Sequence, residues 1–275
     1  NTLPATQAVN QNEVVTQSYV ARVTDNNGAY VDQTITVSIT GTNDAPVATF
    51  SATQSATENG APVQGQLTAT DLDAGASASF ALLGEPIAGL TLNTNGSWLF
   101  DPAVDAYNAL AAGQILPINV AYSVTDDQGA SSTNSFLINL TGTNDAPIVS
   151  VGPNDSAALT QLESNLPLTA NGTLTAVDPD LNDQLTASVA SVALSGSGAA
   201  SVPTSLTNAL LKGFLSLTPS SLSADPGSSS NLSWSFNSSP QAFDFLPNGQ
   251  NLTLTYSISL TDGSAPSAAA ASQLV

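Results

Sequence analysis

The sequence predicts an all-β protein in which β-sandwich domains follow one another along the chain. The heptapeptide Thr-Gly-Thr-Asn-Asp-Ala-Pro occurs at residues 40–46 and again at 141–147, and an identical string that recurs so far along the chain marks a tandem repeat. Segments in which apolar and polar residues alternate, such as 34–40, are typical of strands with one buried face. The heptapeptide itself, with its oxygen-bearing side chains and its Pro, predicts a short, rigid, acidic joint between two β domains.

Residues 1–46 predict the last strands of a partial repeat. A β-hairpin with one buried face is expected on the two sides of a turn at residues 24–28. The apolar positions of this face alternate with polar ones: Tyr19, Ala21, Val23, Ile35, Val37 and Ile39. Two strands alone are marginally stable in water, so the hairpin either completes a sandwich whose other strands lie elsewhere or pairs with something else.

Residues 47–147 predict one complete repeat. The turn at residues 125–129 copies the earlier turn. The first Asp of each turn has the same spacing to the Asn of the next heptapeptide, Asp25 to Asn43 in one copy and Asp126 to Asn144 in the other. The strand after the second turn again alternates, with Phe136, Ile138 and Leu140 in the places of the earlier apolar residues.

Residues 148–275 predict a second, longer repeat. The spacing from Trp98 to Asp126 is the same as the spacing from Trp234 to Asp262. A single Trp at a repeated position is usually buried between two sheets, so we expect both indoles in the core rather than on a sugar-stacking surface. Two tyrosines are expected in the core as well, Tyr122 and Tyr256.

Upstream of the tryptophan the two repeats differ in length. The stretch from Asp178 to Trp234 is much longer than the matching stretch from Asp71 to Trp98, so an insertion lies within 181–233. Residues 206–215 predict a short helix, and the remainder of the insertion predicts a Ser/Gly-rich loop. The chain ends inside the expected final strand, which is therefore predicted to be incomplete. Since the sequence has no Met and shows no signal peptide, we expect a piece of a longer product.

Charge composition excludes several classes of partner. The chain has 2 Lys+Arg, which are Arg22 and Lys212, against 21 Asp+Glu, and its net charge is −19. Two basic side chains cannot neutralise the phosphates of a nucleic acid or of an anionic membrane surface. We therefore expect neither as a partner. The sequence contains no apolar run of the roughly 20 residues that a transmembrane helix needs, so none is expected. Bound cations would offset the self-repulsion of such a chain.

The absence of Cys and His restricts the chemistry further. Zinc, haem and iron–sulfur sites lose their usual ligands, and neither Ser-His-Asp nor Cys-His catalysis can be assembled. A metal site must use oxygen ligands, which favours Ca²⁺ or Mg²⁺. Paired carboxylates could hydrolyse glycosides, but here they recur with the repeats and have no accompanying cleft residues, so we do not expect an enzyme.

Two Asp-x-Asp pairs occupy matching positions of the repeats, Asp71 with Asp73 and Asp178 with Asp180. Residues i and i+2 of an extended segment point to the same side, so both carboxylates can converge on one cation. An isolated Asp more often caps a turn. Because the pairs recur together with the Asn-Asp of the heptapeptide, their pattern favours calcium.

Three stretches resemble VCBS repeats: residues 122–129, the strand that ends in the heptapeptide, and residues 234–250. These repeats are cadherin-like modules of immunoglobulin fold in bacterial surface and secreted proteins, often RTX-type adhesins exported by type I secretion. The resemblance covers nearly the whole chain. It implies tandem immunoglobulin/cadherin-like sandwiches joined end to end, with Ca²⁺ bound at the joints between them.

The resemblance also implies ligands for each joint. The ligands of the first joint would be Asn43, Asp44, Asp71, Asp73 and either Asp126 or Asp127. The ligands of the second joint would be Asn144, Asp145, Asp178, Asp180 and Asp262, with Glu58 reaching it from the preceding repeat. Glu163 is the copy of Glu58 in the last repeat. The Asp-Arg-Glu motif of cadherins is missing from this chain.

The leading functional prediction is a structural extender of a cell-surface or secreted adhesin, stiffened by calcium, with neighbouring repeats or identical subunits as partners. Other domains of the same protein would bind a glycan or another surface ligand. An alternative is a subunit of an extracellular filament, in which residues 1–46 add strands to a neighbouring chain. A third class is a ligand-binding module that uses the insertion within 181–233.

Overall fold

The structure, a computed structural model, describes residues 8–181, 183–223, 225–263 and 270–274. Nearly all of its regular structure is β, which confirms the predicted fold class. The chain divides into two compact units. The first comprises the residues up to 104 together with 117–140, and the second comprises 105–116 and the residues from 141 onward. The repeat boundaries and the end-to-end arrangement expected from the sequence stay predictions, and residues 1–7 lie outside the described part.

The first unit contains a sandwich and a separate hairpin. Its strands in chain order are β1 (Val14–Thr24), β2 (Tyr30–Thr40), β3 (Val47–Ala48), β4 (Gln54–Thr57), β5 (Val63–Gln66), β6 (Ala69–Thr70), β7 (Ala78–Leu82), β8 (Leu90–Leu92), β9 (Ser97–Phe100), β10 (Ile115–Asp126) and β11 (Ser131–Thr141). One sheet has the strand order β4-β11-β10-β7 and another has β5-β9-β8, while β3 pairs with β6 and β1 with β2.

Aromatic side chains fill the core of the first sandwich. The ring centroids of Trp98 on β9 and Phe136 on β11 lie 4.9 Å apart, and Phe50 meets Phe136 edge-on at 5.1 Å. The hydroxyl of Tyr122 on β10 donates a 2.7 Å hydrogen bond to the carbonyl of Phe50. Trp98 is 2% exposed and Tyr122 is fully buried, so the predicted core positions of both residues are confirmed.

The hairpin β1–β2 forms as predicted, but the expectation that one of its faces is buried is wrong for the described structure. Its register pairs Val14 with Thr40 and Thr24 with Tyr30. Every residue of both strands is exposed, because β1 and β2 pair with each other and no described strand or loop covers either face.

The second unit is a sandwich of two four-stranded sheets. Its strands are β12 (Ile148–Ser150), β13 (Thr169–Val177), β14 (Gln184–Ser195), β15 (Leu215–Thr218), β16 (Ser221–Ser223), β17 (Leu232–Asn237), β18 (Thr253–Asp262) and β19 (Ala270–Leu274). One sheet has the order β12-β13-β17-β15 and the other β16-β14-β18-β19. A single core joins residues of both sheets, among them Leu174, Trp234 and Ile258. Burial of Trp234 and Tyr256, each 3% exposed, confirms their predicted place in the core.

The insertion is more structured than its composition indicated. Helix α1 (Asn208–Lys212) lies inside the predicted segment 206–215 and is capped by Thr207, whose hydroxyl accepts a 3.4 Å hydrogen bond from the Leu210 amide. The prediction of a Ser/Gly-rich loop for the remainder is wrong in part. Strand β14 pairs with β18 as β7 pairs with β10, but it continues to Ser195, and β16 adds an edge strand to the same sheet. The hydroxyl of Tyr256 donates to the carbonyl of Leu211 at 2.8 Å, which ties the helix to β18.

Within the described residues, no helix is long and apolar enough to cross a membrane. Val275, where the incomplete final strand was expected to stop, lies outside the described residues.

Candidate metal centres

Five acidic or amide residues of the first unit meet in one set, which we call the first acidic set: Asn43, Asp44, Asp71, Asp73 and Asp126. The Asn43 amide donates to Oδ2 of Asp126 at 2.9 Å. The backbone amide of Asp44 donates to Oδ2 of Asp73 at 2.8 Å, and the backbone amide of Asp73 donates to Oδ1 of Asp71 at 2.9 Å. The segment after β2 is thereby held against the end of β10 and the loop after β6.

The second unit repeats this arrangement contact by contact in the second acidic set: Asn144, Asp145, Asp178, Asp180 and Asp262. The Asn144 amide donates to Oδ2 of Asp262 at 3.1 Å. The backbone amide of Asp145 donates to Oδ2 of Asp180 at 2.9 Å, and the backbone amide of Asp180 donates to Oδ1 of Asp178 at 3.0 Å. The same three hydrogen bonds therefore organise matching residues in both units.

The position of each side chain follows from the strands beside it. Each Asp-x-Asp pair begins directly after the last residue of a strand. This strand is β6 in the first unit and β13 in the second. Asp126 and Asp262 are the last residues of β10 and β18. Oδ1 of Asp126 accepts the backbone amides of Gln128 and Ala130 at 2.8 and 2.9 Å, so this carboxylate caps the following turn while its second oxygen faces Asn43.

Several buried oxygens in these sets accept no hydrogen bond from any described residue. They are Oδ2 of Asp71 and Oδ1 of Asp73 in the first set, and Oδ1 of Asn144, Oδ2 of Asp178 and Oδ1 of Asp180 in the second. Buried polar atoms are normally paired, because an unpaired carboxylate oxygen away from water is costly. All of these atoms are carboxylate or amide oxygens, the ligands that hard divalent cations prefer. The donor sets therefore fit Ca²⁺ or Mg²⁺.

Electrostatics in the second set favours a bound cation as well. Burial, reinforced by the neighbouring carboxylates of Asp183 and Asp262, raises the pKa of Asp178 and of Asp180 to about 6. Burial also raises the pKa of Asp145. At neutral pH these groups are held charged against desolvation and mutual repulsion, and a divalent cation would relieve both.

Asp126 of the first set behaves differently. Burial acts to raise its pKa, but hydrogen bonds from the Asn43 side chain and from backbone amides of the turn outweigh burial, so the pKa of Asp126 is lowered. Its charged form is thus stabilised by fixed donors.

The resemblance implied three further residues, Asp127, Glu58 and Glu163. Asp127 is exposed, and its oxygens accept from the Ser77 amide and the Gln128 side chain, so of the two alternatives Asp126 is the one in the set. Glu58 is buried, whereas its copy Glu163 is exposed. The predicted role of Glu58 at the second set stays a prediction.

One acidic residue near the second set, Asp183, was not predicted from the sequence. Asp183 raises the pKa of both Asp178 and Asp180 through its charge. The position that matches it in the first repeat, after the Asp-x-Asp pair, is Ala76. The sequence could have indicated Asp183 only as an acidic residue that has no acidic counterpart in the other repeat.

Comparison with protein families identifies a bacterial Ig domain, whose family model matches residues 43–139. This stretch covers the strands of the first sandwich except the last residues of β11, and it includes all five residues of the first acidic set. The immunoglobulin-like character expected from the sequence is thus supported for that part of the chain. Among curated proteins, none matches this chain.

Solved structures similar over most of the chain include cadherin ectodomains. Protocadherin gamma B2 extracellular cadherin domains 1–5 has a TM-score of 0.48 at 14% identity, covering 95% of this chain and 51% of that chain. Mouse protocadherin-24 EC1–3 has a TM-score of 0.45 at 15% identity, with coverage of 94% and 78%. Mouse cadherin-23 EC22–24 has a TM-score of 0.43 at 17% identity, with coverage of 94% and 72%. The chain spans about half the length of the protocadherin gamma B2 structure.

Proposed function

We propose that the chain is a structural extender of a bacterial surface or secreted adhesin, in which Ca²⁺ bound at the two acidic sets stiffens the joints between successive repeats. The observation that carries the proposal is the repetition of three hydrogen bonds in two units, each beside buried carboxylate oxygens that accept no hydrogen bond from described residues. Turn capping alone does not account for such buried oxygens.

The joint residues are the part of each set that calcium would fix. Asn43 and Asp44 follow β2, and Asn144 and Asp145 follow β11, so these residues belong to the connecting segments. The Asp-x-Asp pair and the Asp that ends β10 or β18 belong to the sandwich. When bound, Ca²⁺ supplies positive charge that draws carboxylates of both parts together. Without it, like-charge repulsion loosens the connection.

The remaining parts of the proposal follow from composition and resemblance. A protein with no His or Cys and with carboxylates placed at joints suits a passive, extracellular, cation-rich setting rather than catalysis. The resemblance to VCBS repeats favours an RTX-type adhesin exported by type I secretion. Other domains of that protein would carry the site for a glycan or another surface ligand.

Calcium titration of the metal-stripped protein tests the proposal. We expect calorimetry to detect Ca²⁺ binding with Kd of about 10⁻⁴–10⁻³ M, the range of extracellular modules. Backbone amides of Asp44 and Asp145 should then exchange hydrogen more slowly, because the connecting segments become fixed. Mg²⁺ at equal concentration should have a smaller effect, since it demands stricter octahedral geometry. Binding and exchange that ignore Ca²⁺ up to tens of millimolar would refute the calcium mechanism.

A self-assembling filament is the second candidate function. It is favoured by the hairpin β1–β2, whose strands are exposed along their whole length. Such a hairpin could add to the sheet of a neighbouring chain and generate an open fibre. Sedimentation separates the two candidates, because an extender stays monomeric while a filament subunit grows with concentration. A ligand-binding role of the insertion within 181–233 would show as glycan binding that disappears when part of it is deleted.

A further inference from the structure

The hairpin β1–β2 exposes a face that is mostly apolar. Tyr19 pairs directly with Ile35, and side chains two residues apart along each strand point to the same side, so one face carries most of the apolar residues, together with Gln17 and Gln33. Exposed fractions on this face are high: Tyr19 57%, Val23 69%, Val31 66%, Ile35 51%, Val37 45% and Ile39 36%. We call this set the apolar hairpin face.

The opposite face of the hairpin is mainly polar, with Val14 and Val20 as its apolar residues, and its polar side chains pair with one another. Arg22 donates two hydrogen bonds to Asp32, at 2.7 and 2.8 Å, and its guanidinium lies 3.8 Å from the ring centroid of Tyr30. Hydroxyls of Ser18 and Thr36 lie 3.4 Å apart across the strands. The hairpin therefore has one face suited to water and one suited to a protein core.

The same molecule contains a second copy of this hairpin with its face covered. When residue numbers in β1 and β2 are increased by the distance between the two heptapeptides, they fall in β10 and β11. The matched positions of the apolar face are Val120, Val124, Phe136, Ile138 and Leu140, and none of them is more than 2% exposed. The matched position of Val31 is Ser132, at the far end of the strand.

What covers the copy is visible in the first unit. Trp98 and Phe50 contact Phe136 from the opposing side of the sandwich, at ring distances of 4.9 and 5.1 Å. Strand β7 pairs with β10 and β4 pairs with β11, so both edges of the copy are closed as well. Burial of this kind of hairpin thus requires an opposing sheet whose aromatic side chains contact the apolar face, and one strand paired with each edge.

We infer that the apolar hairpin face is the docking surface for a further repeat of this kind, which supplies the strands equivalent to β4 through β9. The hairpin then forms the middle strands of that repeat's sheet, as β10 and β11 do in the first unit. The inference rests on the proposed extender function and deepens it by naming the partner of this face. It does not depend on calcium, because the matched contacts are apolar.

A duplication within the chain tests this inference. In the variant, an additional copy of residues 47–113 is placed directly before Glu13 of the otherwise unchanged protein, which restores the order of strands found in the first unit. All measurements are made in EDTA, so that failure of the calcium proposal does not affect them. We expect amides of residues 14–40 to exchange hydrogen at least tenfold more slowly than in the unextended protein. Unchanged exchange of these amides, or an added Trp that stays solvent-exposed, would overturn the inference.

Matched substitutions show which face is responsible. In the extended variant, Ile35→Asp with Val37→Asp places charges on the apolar face and should abolish the new protection. Thr36→Asp lies between them on the polar face and should leave the protection in place. Equal loss in both variants contradicts a face-specific contact.

A second copy of the chain is the competing occupant of this face. Two hairpins packed face to face would make the unextended protein dimerise as its concentration rises, with slower exchange in residues 14–40. Sedimentation equilibrium of the unextended protein therefore provides the other arm of the test. A monomer with fast-exchanging residues 14–40 supports the inference, whereas a dimer with a protected hairpin overturns it.

Discussion

The backbone amide of Asp145 donates a 2.9 Å hydrogen bond to Oδ2 of Asp180, while Oδ1 of the same carboxylate is buried and accepts no hydrogen bond from any described residue. One oxygen thus fixes the connecting segment to the sandwich, and the other is available to a ligand. The equivalent contact in the first unit joins Asp44 to Asp73 at 2.8 Å, with Oδ1 of Asp73 in the same situation. Because the two oxygens have different roles, a substitution that removes the charge should affect the metal-free and the calcium-bound protein differently.

Asp180→Asn should have opposite effects on the free energy of unfolding in the absence and in the presence of Ca²⁺. Burial and neighbouring carboxylates raise the pKa of Asp180 to about 6, so at pH 7.5 its charge destabilises the metal-free protein. Removing that charge should raise the free energy of unfolding in EDTA by about 1 kcal/mol, after allowance for solvent screening. The variant should also lose the stabilisation of about 1.4–2.7 kcal/mol that a site with Kd of 10⁻⁴–10⁻³ M gives at about 10 mM Ca²⁺. Urea unfolding with and without Ca²⁺ measures both effects.

Asp127→Asn is the matched control for that experiment. Asp127 is exposed and lies outside the first set although it adjoins Asp126. Its substitution should change neither the metal-free stability nor the calcium response by more than about 0.5 kcal/mol. If Asp180→Asn responds to Ca²⁺ as the unchanged protein does, Asp180 is not a ligand.

Asn43→Ala should raise the pKa of Asp126. Burial acts to raise this pKa, and the Asn43 amide, which donates to Oδ2 of Asp126 at 2.9 Å, is the foremost of the hydrogen bonds that lower it. Loss of this donor removes a contact that favours the charged form. Titration of the Asp126 carboxyl carbon by NMR measures the change. Gln128→Ala keeps the backbone amide that donates a hydrogen bond to Asp126, so it should leave the pKa of Asp126 unchanged. A pKa shift of equal size in both variants would contradict the role given to the Asn43 side chain.

How far the sequence predicts this site depends on which residues are concerned. The repeated heptapeptide and the Asp-x-Asp pairs locate four members of each set, because repetition at matched spacing singles them out. The choice between Asp126 and Asp127 was left open, since neighbouring residues of a strand point to opposite sides and the phase is set only where β10 ends. Asp183 was missed because it has no copy in the first repeat.

Composition was a poor guide to the structure of residues 181–233. Leu185, Ala187 and Val189 pack against the core from alternate positions of β14, but a register shift between Val189 and Ser191 changes the phase, so that Val192 is the next residue to face the core. A bulge of this kind breaks the period of two by which strands are recognised. The hairpin shows the opposite limit. Its alternation correctly predicts two strands, but burial depends on what lies against them, which no local pattern contains.

Gly172→Ala and Gly65→Ala should each destabilise the unit that contains them. A Cβ atom on Gly172 would lie 2.6 Å from Cε2 of Trp234, and one on Gly65 would lie 2.6 Å from Cζ2 of Trp98. The buried indoles cannot retreat without disturbing the core, so a cost of about 1–3 kcal/mol is expected. Urea unfolding followed by Trp fluorescence measures it. Gly263→Ala, where an added Cβ meets nothing within 4 Å, should cost less than about 0.5 kcal/mol. Equal effects at all three positions would contradict the packing argument.

Asp155→Asn should remove a stabilisation that is specific to the charged carboxylate. Burial acts to raise the pKa of Asp155, but hydrogen bonds prevail and lower it to about 2. Its oxygens accept from the hydroxyls of Thr173 and Thr175 at 2.8 and 2.6 Å and from the Gly152 amide at 2.8 Å. A carboxyl whose folded pKa is depressed stabilises the protein above its unfolded pKa of about 3.9 and loses this contribution as pH falls toward 2.

The difference in unfolding free energy between the unchanged protein and Asp155→Asn should therefore be about 1–2 kcal/mol at pH 7, after allowance for solvent screening. It should stay constant down to about pH 4 and shrink between pH 4 and pH 2. Urea titrations at stepped pH in EDTA measure this difference. If the difference for Asp155 grows as pH falls, the ionised carboxylate is not the stabilising form, because only a group bonded in its charged state loses its advantage on protonation.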